Sequence, residues 1–243
     1  MDAVVVDNLC YKYQPSGRQI LKNISFKAGQ GEIVAVLGLS GCGKSTLGLC
    51  LGGIIPHYLG GELTGRVQVH GIEVKDHNVA RLALEVGLVF QDPETQLFLP
   101  TVEDEIAFAP ENLCLPPEEI GKRVYDMINM LGLSDIRQAN PNQLSGGQKH
   151  LVALGAVLAL EPGILVLDEV MAQMDSTSKK KIKDILVNLR LYGKTILIIE
   201  HELESLSIAD RILVLEDGAL IRDGQASEIV ADEEFLARQK LMF

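Results

Sequence analysis

Along the chain, short apolar runs alternate with longer stretches whose apolar residues recur at helical spacing. Residues 3–8 are apolar and β-branched, and residues 19–27 alternate apolar with polar, as a half-buried strand does. Gly29-Gln30-Gly31 reads as a turn, and Glu32 to Leu37, apolar from Ile33 on, suits a strand buried on both faces. A glycine-rich stretch, 38–43, follows at once and leads into a helix-compatible run at 44–51. Gly60-Gly61 and Gly65 punctuate the chain before a strand at 66–70, and 86–90 is another short apolar strand. Residues 101–133 are rich in helix formers, with Pro116-Pro117-Glu118-Glu119 as a helix start, and 151–160 continues as helix. Strands at 164–167 and 195–199 flank an amphipathic helix at 179–191, and 211–216 pairs with 219–223 in a hairpin around Asp217-Gly218. This alternation predicts an α/β fold around a largely parallel sheet, with a helical insertion in mid-chain.

With 243 residues, 47% hydrophobic and 23% charged, the chain can bury the core of one large domain or two small ones. The formal net charge of -11 argues against nucleic acid as a partner, because neutralising phosphates needs a basic face, and against direct adhesion to anionic lipid. Cys10, Cys42, Cys50 and Cys114 form no C-x-x-C pair, so zinc and redox sites lack support and a reducing cytosol is the expected setting. No basic-then-apolar leader opens the sequence, and the longest apolar run, 151–160, is well short of the roughly 18 residues that span a bilayer. At a membrane, another protein is expected to hold the chain. His57, His70, His77 and His150 show no metal-ligand spacing and are expected on the surface or in loops.

Gly38-Leu39-Ser40-Gly41-Cys42-Gly43-Lys44-Ser45 matches the phosphate-loop pattern G-x-x-x-x-G-K-[ST], between a predicted strand and a predicted helix. Glycines let the backbone curl so that successive N–H groups point at phosphate oxygens, and the helix that follows offers its positive end. In this pattern Lys44 reaches the outer phosphates and the Ser45 hydroxyl ligates Mg²⁺. Gly38, Ser40, Gly41, Cys42, Gly43, Lys44, Ser45 and Thr46 are therefore candidate nucleotide ligands. The apolar strand Ile164-Leu165-Val166-Leu167 ends in Asp168-Glu169, which puts carboxylates at the edge of a sheet where ligands bind. Asp168 suits Mg²⁺ and Glu169 suits a general base, although an acid at a strand's end is equally a solvated terminus.

A third string, Leu144-Ser145-Gly146-Gly147-Gln148, precedes a helical run and offers a hydroxyl, free N–H groups and a helix dipole to an anion. With the two elements above it resembles the signature of ATP-binding-cassette (ABC) ATPases, and the resemblance extends over essentially the whole chain. It implies one domain over 1–243: a P-loop, RecA-like α/β core, an N-terminal antiparallel β subdomain, and an inserted helical subdomain at about 93–160. It further implies that Gln91 touches Mg²⁺ and the attacking water, that His201 contacts the γ-phosphate, that Asp175 crosses a dimer interface, and that adenine stacks on Tyr13, with Tyr11 as the alternative. Ser145, Gly146, Gly147 and Gln148 would close on ATP held by a second ATPase subunit, either another copy or a paralogue. The sequence departs from the family pattern at Leu151, where Arg is usual, at Val170, where Pro is usual, and at Gln173-Met174, where Gly-Leu is commoner.

The run from Gln91-Asp92-Pro93-Glu94-Thr95-Gln96-Leu97-Phe98 into Thr101-Val102-Glu103-Asp104-Glu105-Ile106-Ala107-Phe108 is similar to energy-coupling-factor (ECF) ATPases, as is Ile55-Pro56-His57-Tyr58 with Gly61-Glu62-Leu63-Thr64-Gly65. These power uptake of vitamins or of cobalt and nickel ions from the cytoplasmic face of the membrane, beneath a transmembrane coupling protein and a substrate-binding membrane protein. Leu97, Phe98 and Leu99 are the expected docking groove for the coupling protein. A non-transport ABC ATPase of DNA repair or translation would bring a coiled-coil insertion, a second cassette or zinc modules, which this sequence does not show; Leu151 and Val170 leave open a cassette with weak hydrolysis.

Overall fold

The computed structural model describes residues 1–172 and 174–241, with Glu204 described through its backbone alone. In chain order its elements are β1 (Asp2–Lys12), β2 (Leu21–Gly29), β3 (Ile33–Leu37), α1 (Lys44–Leu51), α2 (Ile54–His57), β4 (Glu62–Val69), β5 (Ile72–Glu73), α3 (Val79–Leu82), β6 (Val86–Val89), α4 (Val102–Asn112), α5 (Pro117–Met130), α6 (Gly146–Leu158), β7 (Ile164–Asp168), α7 (Ser176–Leu191), β8 (Thr195–Glu200), β9 (Arg211–Glu216), β10 (Ala219–Gln225), α8 (Ala226–Ala231) and α9 (Glu233–Arg238). The strands form two sheets. One is antiparallel, in the order β2-β1-β4-β5; the other runs β10-β9-β3-β8-β7-β6 and is parallel except at its β10 edge.

Strands β3, β7 and β8 are buried at every position, and apolar except at Asp168, Thr195 and Glu200, because both faces of the six-stranded sheet are covered. Alternate residues serve different cores. Ala35, Leu165, Leu167, Ile196 and Ile198 pack with helices α4 to α7, whereas Val34, Val36, Val166, Leu197 and Ile199 pack with α1 and the antiparallel sheet. Parallel registers bring the strand ends level: Leu37 lies beside Glu200, Asp168 beside Ile199, and Val89 beside Leu167. The loops carrying the sequence motifs therefore leave one edge of the sheet side by side, the arrangement in which such sheets bind ligands.

Several boundaries differ from the sequence expectation for physical reasons. β1 continues past residue 8 through a bulge, with Asn8 at φ 50°. Gly65 does not precede β4 but lies within it, opposite that bulge; at φ 88°, a Cβ there would meet the Asn8 carbonyl at 2.3 Å. The helical stretch 101–133 is two helices, parted at Cys114, which adopts φ 54°. Helix α6 starts at Gly146, earlier than the apolar run suggests, because Ser145 and Gln148 form a reciprocal cap at its first turn. Helices α8 and α9 have no counterpart in the sequence analysis. No helix among the described residues is long and apolar enough to cross a membrane.

Candidate functional site

The glycine-rich loop leaves β3 and turns into α1 through Gly43, whose φ of 109° strains any other residue and where a Cβ would crowd the Ile20 carbonyl at 3.1 Å. Lys44 is buried at 3% exposure, and its ammonium donates to the carbonyls of Gly38 (2.8 Å) and Leu39 (3.3 Å). The Ser45 hydroxyl donates to Asp168 Oδ1 at 3.1 Å. Asp168 is itself buried; burial raises its pKa, the Ser45 bond works the other way, and neighbouring Glu169 raises it further. Glu169 is the meeting point of the site. Its Oε2 accepts from Gln91 Nε2 at 2.9 Å and lies 3.6 Å from His201 Nδ1, while its Oε1 lies 3.6 Å from Lys44 Nζ. A cavity of about 400 Å³ opens over these groups, lined by Tyr13, Ile20, Ser40, Gly41, Gly43, Lys44, Ser45, Thr46, Gln91 and Glu169.

Tyr13 and Tyr11 have separate places. Tyr13 is 44% exposed, with its hydroxyl 3.2 Å from the Thr46 hydroxyl, and its ring meets that of Tyr11 edge-on at 4.9 Å. Tyr11 is fully buried and donates to the Gly60 carbonyl at 2.9 Å, so only Tyr13 faces the cavity. Ser145, Gly146, Gly147 and Gln148 are not among the cavity's lining residues. Ser145 Oγ accepts from the Gln148 backbone at 3.3 Å, and Gln148 Oε1 accepts from the Ser145 backbone at 3.0 Å. Asp175 caps α7, accepting from Thr177 N (2.9 Å) and Ser178 N (3.0 Å), and the bond from the Ser178 hydroxyl leads the effects that hold its carboxyl below the ordinary range. The starts of α6 and α7 adjoin, since a Cβ on Gly147 would lie 3.6 Å from Ser178 Oγ. Of the departures from the family pattern, Leu151 and Val170 are buried in the apolar core, as is Met174, and Gln173 lies outside the described residues.

The family model described as ABC transporter matches residues 21–172. The chain belongs to the ABC transporter family. A putative ABC transporter ATP-binding protein of Methanosarcina mazei is 42% identical over 96% of the chain, which spans 40% of that relative's length. The chain likewise spans about two fifths of the length of other curated relatives that it matches. An energy-coupling factor transporter ATP-binding protein, EcfA, from Methanosarcina acetivorans is 40% identical over 93% of this chain and 81% of its own length. Among solved structures, cbiO1 of Clostridium perfringens, part of the ABC transporter complex cbiONQ, superposes with a TM-score of 0.85 at 32% identity, covering 100% of this chain and 96% of its own. The mixed α/β architecture, with its antiparallel sheet beside the parallel one, is that of an ABC ATPase cassette.

In this ABC cassette, three side chains escaped the sequence analysis. His150 is not a surface or loop residue: it is 3% exposed inside α6, with Nδ1 3.0 Å from the Gly146 carbonyl and Nε2 3.2 Å from the Gln91 carbonyl. Its neighbour Lys149 is ion-paired with Glu94, so two adjacent residues of α6 reach the segment after β6. Glu105 is buried in α4, and its carboxylate accepts from the backbone of Phe98 and, at 2.5 Å, of Leu99; burial raises its pKa. That loop divides the expected docking groove. Leu97 is buried in the core, while Phe98 is 65% exposed and meets Phe108 edge-on at 5.0 Å. Glu200, at the end of β8, is fully buried. Helical spacing and an apolar neighbour at Leu151 were the available signals for His150; an acid closing the apolar strand at 195–199 was the signal for Glu200.

Proposed function

We propose that the chain binds Mg-ATP in the cavity between Tyr13 and Glu169 and hydrolyses it, as the motor subunit of an ECF-type importer of a vitamin or metal ion. The observation that carries this reading is Glu169, a carboxylate facing the P-loop cavity with Gln91, Lys44 and His201 directed at it. Glu169 takes a proton from the attacking water, Gln91 orients that water, and Lys44 and His201 offset charge that grows on the γ-phosphate. Backbone N–H groups of residues 38–46 hold the phosphates, and adenine lies against the exposed face of Tyr13.

The residues present fit Mg²⁺. Ser45 and Asp168 offer hard oxygen donors side by side, joined by Gln91 at the cavity wall, and among the described residues the buried Asp168 carboxyl has no cationic neighbour other than Lys44. When bound, the ion supplies positive charge to the phosphates.

Ser145, Gly146, Gly147, Gln148 and Asp175 stand outside the cavity, so their contact with nucleotide comes from pairing two cassettes head to tail, with a second copy or a paralogue. Exposed Phe98 is the contact for a transmembrane coupling protein, which holds the cassette at the cytoplasmic face of the membrane beside a substrate-binding membrane protein. Similarity to EcfA and to the cbiONQ component supports this assembly. The test is Glu169→Gln. Phosphate release should fall by about 100-fold or more while Mg-ATP binding persists, and unchanged release would overturn the reading.

A further inference from the structure

We propose that Glu200 is a positioning residue for hydrolysis: its carboxylate, at the end of β8, holds the turn that presents Glu169. The inference rests on the reading of Glu169 as the general base. Glu169 adopts a φ of 49°, in the left-handed region that a side chain other than glycine's leaves unless its surroundings hold it there. Two hydrogen bonds do so, and both come from the end of β8. The Glu169 N–H donates to the Ile199 carbonyl at 2.9 Å, and the Met171 N–H donates to Glu200 Oε1 at 3.1 Å. One bond fixes the first residue of the turn and the other fixes the residue two further on. His201 follows Glu200 directly, so the same clamp sets the spacing between Glu169 and His201.

The placement is costly for a side chain that only fills space. Glu200 is fully buried, and its second oxygen, Oε2, has no hydrogen-bond partner. A methionine of similar length would pack there without that desolvation. What methionine lacks is an acceptor for the Met171 N–H. Glu169 after β7, Glu202 beyond β8 and Lys179 of α7 face the carboxyl, and Lys179 is ion-paired with Glu202 at 2.8 Å. Burial, then Glu169 and Glu202, push Glu200 up to about 7, against the Met171 bond and Lys179. Near neutral pH the group thus passes from neutral acid to carboxylate as pH rises, and the carboxylate is the stronger acceptor.

Steady-state ATP hydrolysis by the full chain with Mg-ATP tests this in Glu200→Met, Glu200→Gln and Glu169→Gln. In Glu200→Met, kcat should fall about tenfold with the KM for ATP within about twofold, because the bond positions the base and does not hold nucleotide. Glu200→Gln keeps an oxygen for Met171 and should restore kcat to within about threefold of the original, without the rise in kcat through neutral pH expected of the original chain. Unchanged kcat in Glu200→Met, with release abolished in Glu169→Gln, overturns the role of Glu200 alone. Full release by Glu169→Gln overturns the general base itself. Should Glu200→Met not fold, the profile of Glu200→Gln decides: loss of the neutral step supports the role, and an unaltered step overturns it.

Discussion

Ser145 caps α6 with its hydroxyl, and in the proposed reading the same hydroxyl meets nucleotide held by a second cassette. The Ser145 oxygen accepts from the Gln148 backbone, and the residue is exposed at the start of the helix. Ser145→Ala should therefore cost about 1 kcal/mol of stability through the lost cap, read from urea unfolding. It should also abolish the ATP-dependent pairing of chains. A loss of stability with pairing intact would confine Ser145 to capping. The P-loop, Asp168 and Glu169 were legible from the residues because their chemistry demands fixed types at fixed spacing. Tyr13 was preferred to Tyr11 through the family resemblance alone, since the two lie two residues apart and alternate positions share a face. The structure separates them because β1 ends at Lys12, leaving Tyr13 beyond the sheet's cover. His150 reads as polar beside a motif; its burial follows from where the Ser145 cap sets the first turn of α6.

At the scale of elements, β8 joins four apolar residues that build the core, Ile196 to Ile199, to one that titrates beside it. Burial lifts Glu200 from 4.5 to about 7, so the folded chain keeps a proton that the unfolded chain gives up. The stability tied to that proton is complete below about pH 4.5 and is lost as pH rises through 7; at about 1.36 kcal/mol per unit it is on the order of 3 kcal/mol. Urea unfolding between pH 5 and pH 8.5 should show the original chain losing stability relative to Glu200→Gln as pH rises. Parallel traces would place the Glu200 pKa near its ordinary value. The strand itself was evident from its apolar run, and α1 was evident to the residue. The continuation of β1 and the place of Gly65 were hidden, because a bulge is specified by the partner strand and not by the local pattern.

In the whole molecule, the six-stranded sheet gathers four loops at one edge, while α4, α5 and α6 carry the signature and the Phe98 loop elsewhere. His150 and the Lys149–Glu94 pair join α6 to the segment after β6, so the start of α6 and the Gln91 segment are in direct contact. Phe98→Asp should leave ATP binding unchanged and reduce recovery of the transmembrane partner with the purified complex; full recovery would move the contact elsewhere. The parallel sheet and its strand-end motifs could be expected from strand–helix alternation; the separation between signature and cavity was implied by the family resemblance alone, because no local pattern encodes how helices distant in sequence pack.

The reciprocal cap at Ser145 and Gln148 also bears on kinetics. A surface whose hydrogen bonds are already closed among themselves has little left to order when a partner arrives, so encounter between two such cassettes would be limited by diffusion and orientation. The lifetime of the pair, set by departure, is then the quantity left for hydrolysis to control.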